Sequence, residues 1–360
     1  MATIAEVAKR AGVGVATVSR VLNASPAVRD QTRQRVLDAI ADLDYAPNAA
    51  ARALSTGRTE SVGVVAPFFT RPSVMERLRG VSHVLAGSRY QLVLFDVERP
   101  GQDSRSFRDL PGALDGLLSI SLCPTDEDLE RFEAAGTPIV LVDHPHERVP
   151  AVHTDDVAGG RLATEHLLEL GHRRIAFVGD LEHNYHGFTS SAMRRVGYQE
   201  ALAAAGVDPD PALTCRTAHG REPAAALAGE LLASPSRPTA VFAASDTQAV
   251  GVLEAARELG LQVPGDLSIV GYDDIELARY AGLTTVAQPL EESGARGAEL
   301  LLAALDGTTP IGHQLPVRLV ARSTTSAPGR SRGAGARQQH QADGRDRRRQ
   351  ARQDGNRVRS

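Results

Sequence analysis

Lysine is almost missing from this chain. Of its 40 basic residues one is Lys9, and 40 less one leaves 39 arginines. A phosphate-cradling G-x-x-x-x-G-K-[ST] loop is thereby excluded, because Lys9 is followed by Arg10, and a Schiff-base lysine has no candidate in the body of the chain. Cysteine is equally scarce: Cys123 and Cys215 lie far apart, with no C-x-x-C spacing. That argues against a disulfide framework and a thiolate zinc site, and fits reducing surroundings. Long apolar runs are absent too. No stretch approaches the roughly 18 apolar residues of a membrane helix, and Met1–Gly12 lacks the apolar block of a signal peptide, so the expectation is a cytoplasmic protein without membrane contact. What remains is ample for folding: 360 residues, 42% hydrophobic and 23% charged, enough for roughly two to three domains with sizeable cores.

The formal charge of -4 is unevenly spread. Residues 1–35 hold six basic groups against two acidic, residues 1–60 eight against six (net +2), and residues 326–360 ten arginines against three aspartates (net +7). Subtracting +2 and +7 from -4 leaves -13 for residues 61–325. A basic head and tail flank an acidic body, and local fields of this kind select partners.

The head has helical periodicity. Thr3-x-x-Glu6 is a capping-box pattern, and Ile4, Val7, Ala8 and Ala11 follow at i, i+3, i+4 and i+7. Gly12-Val13-Gly14 breaks this helix. Val15–Asn23 starts another, with Val18, Val21 and Leu22 inward, and Gln31–Leu43 makes a third that buries Val36, Ile40 and Leu43. Helices joined by a tight glycine turn form the helix-turn-helix arrangement, predicted here over residues 1–45. A short alanine-rich helix and a Ser-Thr-Gly linker follow over 46–60, and two turns of helix are unstable alone in water.

From residue 61 the period changes to short apolar runs alternating with amphipathic segments. Strands are predicted at 62–66, 91–95, 116–120, 139–142, 175–178, 240–243 and 267–271, and helices near 74–87, 126–135, 157–170, 191–205, 222–233, 247–259 and 291–305. Gly136, Gly171, Gly206 and Gly260 stand where helix C-termini favour glycine. This is an α/β pattern of parallel sheets covered on both faces. Over 61–325 it is large for one sheet, so two lobes with a cleft are expected. The Arg-rich segment 326–360 cannot bury a core and is expected to be disordered.

The head residues Thr3–Ala8, Ala11–Val13 and Ala16–Asn23, with Leu43–Asn48 and Ala51–Leu54, closely resemble the LacI/GalR family of bacterial repressors, and the resemblance runs to about Thr325. It implies a helix-turn-helix head and a two-lobed body with the periplasmic sugar-binding fold, its doubly wound parallel sheets enclosing a ligand cleft. The partners implied are double-stranded operator DNA with inverted-repeat half-sites, a second copy of the chain in a homodimer, and a small carbohydrate-like effector that switches operator affinity. By matching position, Val15, Ala16 and Arg20 read base edges, in keeping with the pairing of arginine to guanine and of small apolar groups to thymine methyls. Thr3, Thr17, Ser19, Asn23, Thr32, Tyr45 and Asn48 match phosphate contacts, which set register. Ala51 and Leu54 match a minor-groove hinge in which the leucine wedges a base step open. In the cleft, Arg194 and Asp273 are the foremost ligand contacts implied, with Ser245, Gln288, Asp143 and Arg71 beside them.

The chain also departs from the family pattern. Arg71-Pro72-Ser73-Val74 stands where Asn-Pro-Phe-Phe is frequent, Ser245 where Asn is common, and Gly14 where a capping Ser is. No leucine heptads follow Thr325, so a dimer is expected rather than a tetramer. Asp155-Asp156 and Asp273-Asp274 raise glycoside hydrolysis as a rival, but adjacent side chains diverge, and Asp155-Asp156 stands where a helix cap belongs. His144, His146, His183 and His186 lack Cys partners or an H-E-x-x-H frame, so neither metal nor cofactor is expected. The remaining alternative to a regulator is a sugar-binding or sugar-processing protein with an incidental basic head.

Overall fold

A computed structural model describes residues 2–22, 25–45, 58–68, 70–97, 107–182 and 187–329. Asn23, Asn48, Ala51, Leu54, His183, His186 and the tail from 330 lie outside them. In the head, α1 (Ile4–Ala11), α2 (Val15–Leu22) and α3 (Asp30–Asp42) enclose a small core of Val7, Ala8, Ala11, Val18, Val21, Val36 and Ala39. The capping box forms: the Glu6 backbone N–H donates to Thr3 Oγ1 (3.3 Å), and Glu6 Oε2 accepts from the Thr3 backbone N–H (2.7 Å). Gly12 ends α1 at φ +64°, a left-handed turn that favours glycine. Arg35 reaches from α3 to the carbonyls of Ala11 and Gly12 and fixes that turn. Leu22, Ile40 and Leu43, expected inside, form the half-buried rim of this core.

The body begins with β1 (Ser61–Ala66), α4 (Pro72–Leu85), β2 (Gln91–Asp96), β3 (Gly116–Ile120), α5 (Asp126–Ala134), β4 (Ile139–Val142) and β5 (Ala151–Thr154). It crosses to a second lobe through α6 (Asp156–Glu169), β6 (Ile175–Asp180), α7 (Ser190–Ala204), β7 (Thr214–Thr217), α8 (Arg221–Ala233), β8 (Ala240–Ala243), α9 (Asp246–Glu258), β9 (Ser268–Asp273), α10 (Glu276–Tyr280) and β10 (Thr284–Ala287). The chain then returns for α11 (Leu290–Leu305) and β11 (His313–Leu315), and crosses back for β12 (Arg318–Val320). Lobe 1 has strand order β2-β1-β3-β4-β5-β11 and lobe 2 β7-β6-β8-β9-β10-β12. These are the same series built twice, with every pairing parallel except β10 with β12. Central strands such as β3, β4, β8 and β9 are buried along their whole length, as helices on both faces require.

The seven predicted strands and seven predicted body helices are present, with ends shifted by a residue or two. Strands β5, β7, β10, β11 and β12 and helix α10 were not predicted. Strands β7, β11 and β12 lie at sheet edges and are partly exposed, so they lack an apolar run. Strand β10 is buried but opens with two threonines, whose hydroxyls bond inside the lobe: Thr285 to Asp246 (2.6 Å) and Thr284 with Thr325 (3.0 Å).

One helix pair clasps each lobe through glycine. A Cβ on Gly80 of α4 would come within 1.9 Å of the Glu291 carbonyl of α11, and one on Gly160 of α6 within 2.1 Å of the Arg194 carbonyl of α7. Any larger residue forces the backbones apart. At the far end of lobe 1 the entering chain is pinned by Asp115, whose carboxylate accepts from Thr59 N (2.6 Å), Thr59 Oγ1 (2.8 Å) and Glu60 N (3.1 Å).

Candidate functional site

Helix α2 has two faces. Val18 and Val21 enter the head core, while Val15, Ala16 and Arg20 are exposed, Val15 at 45%. Ala16 and Arg20 are one turn apart and so share a side of the helix. Thr17, Ser19 and Thr32 flank this surface half-buried, and Tyr45 packs against the core. The Thr3 hydroxyl and N–H are both engaged by Glu6. Gly14 supplies no side-chain cap for α2, though its carbonyl accepts from Thr17 N (2.9 Å).

The second site is the cleft, at the carboxyl ends of both sheets, where open α/β folds place ligands. It holds about 610 Å³ of space open to solvent, and all six predicted ligand contacts line it. Its lobe 2 wall centres on Arg194, on the first helix after the lobe's first strand. Arg194 Nε donates to Asp156 (2.7 Å), and Nη1 donates to the Ala244 carbonyl (2.6 Å) and lies 3.7 Å from Asp273. The guanidinium also stacks 3.7 Å over the Tyr272 ring. Its lobe 1 wall repeats the device: Arg77, in α4, pairs with Asp143 just past β4, which also accepts from Ser121 Oγ (2.7 Å).

Gln288 joins the walls. Its Nε2 donates to Asp273 (2.7 Å), and its Oε1 accepts from Thr154 (3.0 Å) and Arg77 (3.4 Å). Asp143 and Asp273 carry positive φ, 72° and 115°, in the strained region that concentrates at ligand clamps. Burial raises the Asp273 and Asp156 carboxyls above their ordinary pKa, opposed in each by Arg194. Burial works against the charge on Arg194, yet Asp156, Tyr272 and Asp273 hold its pKa above the usual arginine value. Beneath Asp273, burial first and Asp273 second push the Asp246 carboxyl well up. Ser245 is more a scaffold than a free group: its hydroxyl accepts from Gln248 N (3.2 Å) and caps α9.

The sequence reading missed Arg77, Asp180 and His219 in the cleft lining, and Asp156 as the partner of Arg194. Asp180 ends β6 and accepts from Gln248 Nε2 (2.9 Å) and pairs with His219 Nδ1 (3.1 Å). Arg77 had a signal: Ser73-x-x-x-Arg77-x-x-Gly80 repeats as Ser190-x-x-x-Arg194-x-x-Gly197. The paired carboxylates diverge as adjacent residues must. Asp155 caps α6 through Ala158 N (2.8 Å) while Asp156 turns to Arg194, and Asp273 faces Gln288 while Asp274 pairs with Arg322 (2.6 Å). Among the described residues no three His, Cys, Asp or Glu side chains converge as a metal site, and no helix is long and apolar enough to cross a membrane.

Residues 3–48 match the family model for bacterial regulatory proteins of the lacI family, and 164–325 match a periplasmic binding protein-like domain. The HTH-type transcriptional regulator CelR of Thermobifida fusca is 38% identical over 330 residues, 88% of this chain and 95% of that protein. The chain belongs to the LacI family. It is a helix-turn-helix transcriptional regulator, like DegA of Bacillus subtilis, 34% identical over 337 residues, 90% of this chain and 98% of that one. Two solved LacI-family structures share its architecture. The lac repressor dimer bound to operator and the anti-inducer ONPF superposes with a TM-score of 0.79 at 29% identity, over 91% of this chain and 99% of that one. The CelR–cellobiose complex does so at 0.67 and 34%, over 90% of this chain and all of that one.

Proposed function

We propose that this LacI-family protein is a cytoplasmic, dimeric repressor without enzymatic activity, whose hold on operator DNA is set by a sugar bound in the cleft. Residues 1–45 form its DNA-binding domain, 46–60 its hinge, 61–325 its effector and dimerisation body, and 326–360 a tail. The observation that carries the reading is the exposed face of α2, where Val15, Ala16 and Arg20 stand clear of a head core that needs none of them. Such a face in the major groove reads guanine through the arginine and thymine methyls through the small apolar groups. Thr3, Thr17, Ser19, Asn23, Thr32, Tyr45 and Asn48 set register on phosphates, and Ala51 and Leu54 form the minor-groove wedge. Arg194, Asp273, Gln288, Asp143, Ser245 and Arg71 hold the effector. An arginine facing a carboxylate serves a ligand dense in donors and acceptors.

The test is selection of bound sites from random duplex DNA at two salt concentrations, with and without candidate sugars. The expected result is an inverted repeat around a deformable centre. Salt-sensitive binding without sequence preference under every condition would reject the reading. Arg20→Ala should relax preference at one position of each half-site and cost roughly 1–3 kcal/mol on the selected site, and unchanged specificity by competition titration would reject that role.

A further inference from the structure

The cleft is lined by three guanidinium groups, and two have their counter-charges built in. Arg194 has Asp156 and Asp273, and Arg77 has Asp143. Arg71 has none. Its side chain makes no hydrogen bond or ion pair among the described residues, and its guanidinium lies 4.0 Å over the Phe68 ring and 5.9 Å from that of Phe188. The carboxylate that acts on it, Asp180, is already committed to His219 and Gln248. Half-buried between rings, Arg71 is partly stripped of water, which lowers its pKa.

Two further observations point the same way. Arg71 precedes α4, a 14-residue helix with no side-chain cap, whose first-turn residues Ser73 and Val74 line the cleft. Opposite, the 15-residue α7 also begins uncapped, with Ser190 and Ser191 on the same space. Helix starts of this length carry partial positive charge and free N–H groups. One turn from Ser73, Nε of Arg77 is buried without a hydrogen-bond partner, in a residue only 3% exposed. A neutral sugar would offer Arg71 only hydroxyl acceptors and leave its charge unbalanced, whereas an anion would complete charge-assisted bonds there.

Building on the proposal that the cleft binds a sugar, we propose that the effector is an acidic sugar, a carbohydrate bearing a carboxylate or a phosphate. Its anionic group lies between Arg71 and the start of α4, and its hydroxyls lie along Asp143, Gln288 and Asp273.

The experiment is calorimetry and thermal-shift titration of the full-length protein and its Arg71→Gln variant at constant ionic strength. The probes are glucose, galactose and mannose, each as the neutral sugar, the uronate and the 6-phosphate, with inorganic phosphate alone as a further arm. At least one acidic form should bind about tenfold or more tighter than its neutral parent, and Arg71→Gln should erase that preference. Any phosphate binding by the head is common to both proteins and cancels in the comparison. Response in the uronate arm assigns a carboxylate, and response in the 6-phosphate arm a phosphate ester. The inference is overturned if neutral parents bind as tightly as their acids, if the variant keeps the preference, or if no anion up to about 50 mM acts through Arg71. Neutral sugars binding independently of Arg71 would overturn it while leaving the sugar reading intact. Inorganic phosphate acting through Arg71 with no carbohydrate adding to it would overturn the sugar reading as well.

Discussion

The two lobes build one device at two degrees of completion. In lobe 2, Arg194 has a carboxylate on either side, a carbonyl at 2.6 Å and an aromatic ring beneath it. In lobe 1, Arg77 has one carboxylate and an unpartnered Nε, and its neighbour Arg71 makes no ion pair among the described residues. A shared strand order therefore does not imply equal readiness. Lobe 2 is organised before any ligand arrives, and lobe 1 keeps bonding capacity in reserve. If the cleft takes the proposed effector, that difference would give the walls separate tasks: lobe 2 would fix the ligand's orientation and lobe 1 would sense what completes it.

The harshest test of the contrast is Arg194→Ala, which strands Asp156 and Asp273 in the interior. It should cost about 3–5 kcal/mol by urea unfolding and abolish effector binding. Arg77→Met should cost less, roughly 2–3 kcal/mol, because Asp143 keeps the Ser121 hydroxyl. Equal losses in the two variants would refute the asymmetry. Gln288→Ala removes the join between the walls and should cost about 1 kcal/mol of stability while lowering effector affinity more than either lobe's own folding. Unchanged affinity by calorimetry would mean the walls act independently.

The smallest expected effect is on pH. His172 of lobe 2 is 1% exposed and held by Thr239, Ser268 and the Ser326 carbonyl, and burial chiefly lowers its pKa from 6.5. As pH falls below about 6.5 the unfolded chain takes up the proton before the folded one, so stability drops in that direction. Thermal melts should show this loss on acidification, and His172→Gln should flatten it. A wild-type slope retained in the variant would exclude His172 as its source.

What was legible in the sequence follows the strength of the local signal. The strands 139–142 and 240–243 are apolar throughout, 116–120 is interrupted only by Ser119, and all three emerge with those bounds, while Thr3 and Asp155 cap the helices their spacing announced. Arg194 and Asp273 were found through motifs that surround them. Asp156 was not, because it is defined by a partner far along the chain, Arg194, and Arg77 shows only when the Ser73-x-x-x-Arg77-x-x-Gly80 spacing is set beside that of Ser190, Arg194 and Gly197. The edge strands β7, β11 and β12 escaped for the opposite reason. Their pairing is set by the sheet they join, and their residues need not be apolar.

The Asp115 clamp on Thr59 and Glu60 has a mechanical consequence. These residues enter β1 at one end, and the cleft lies beyond its other end. Through these bonds Thr59 and Glu60 are fastened to lobe 1 and must follow any displacement of that end of β1. Asp115 is the pin by which the body holds the chain that leads back to the head.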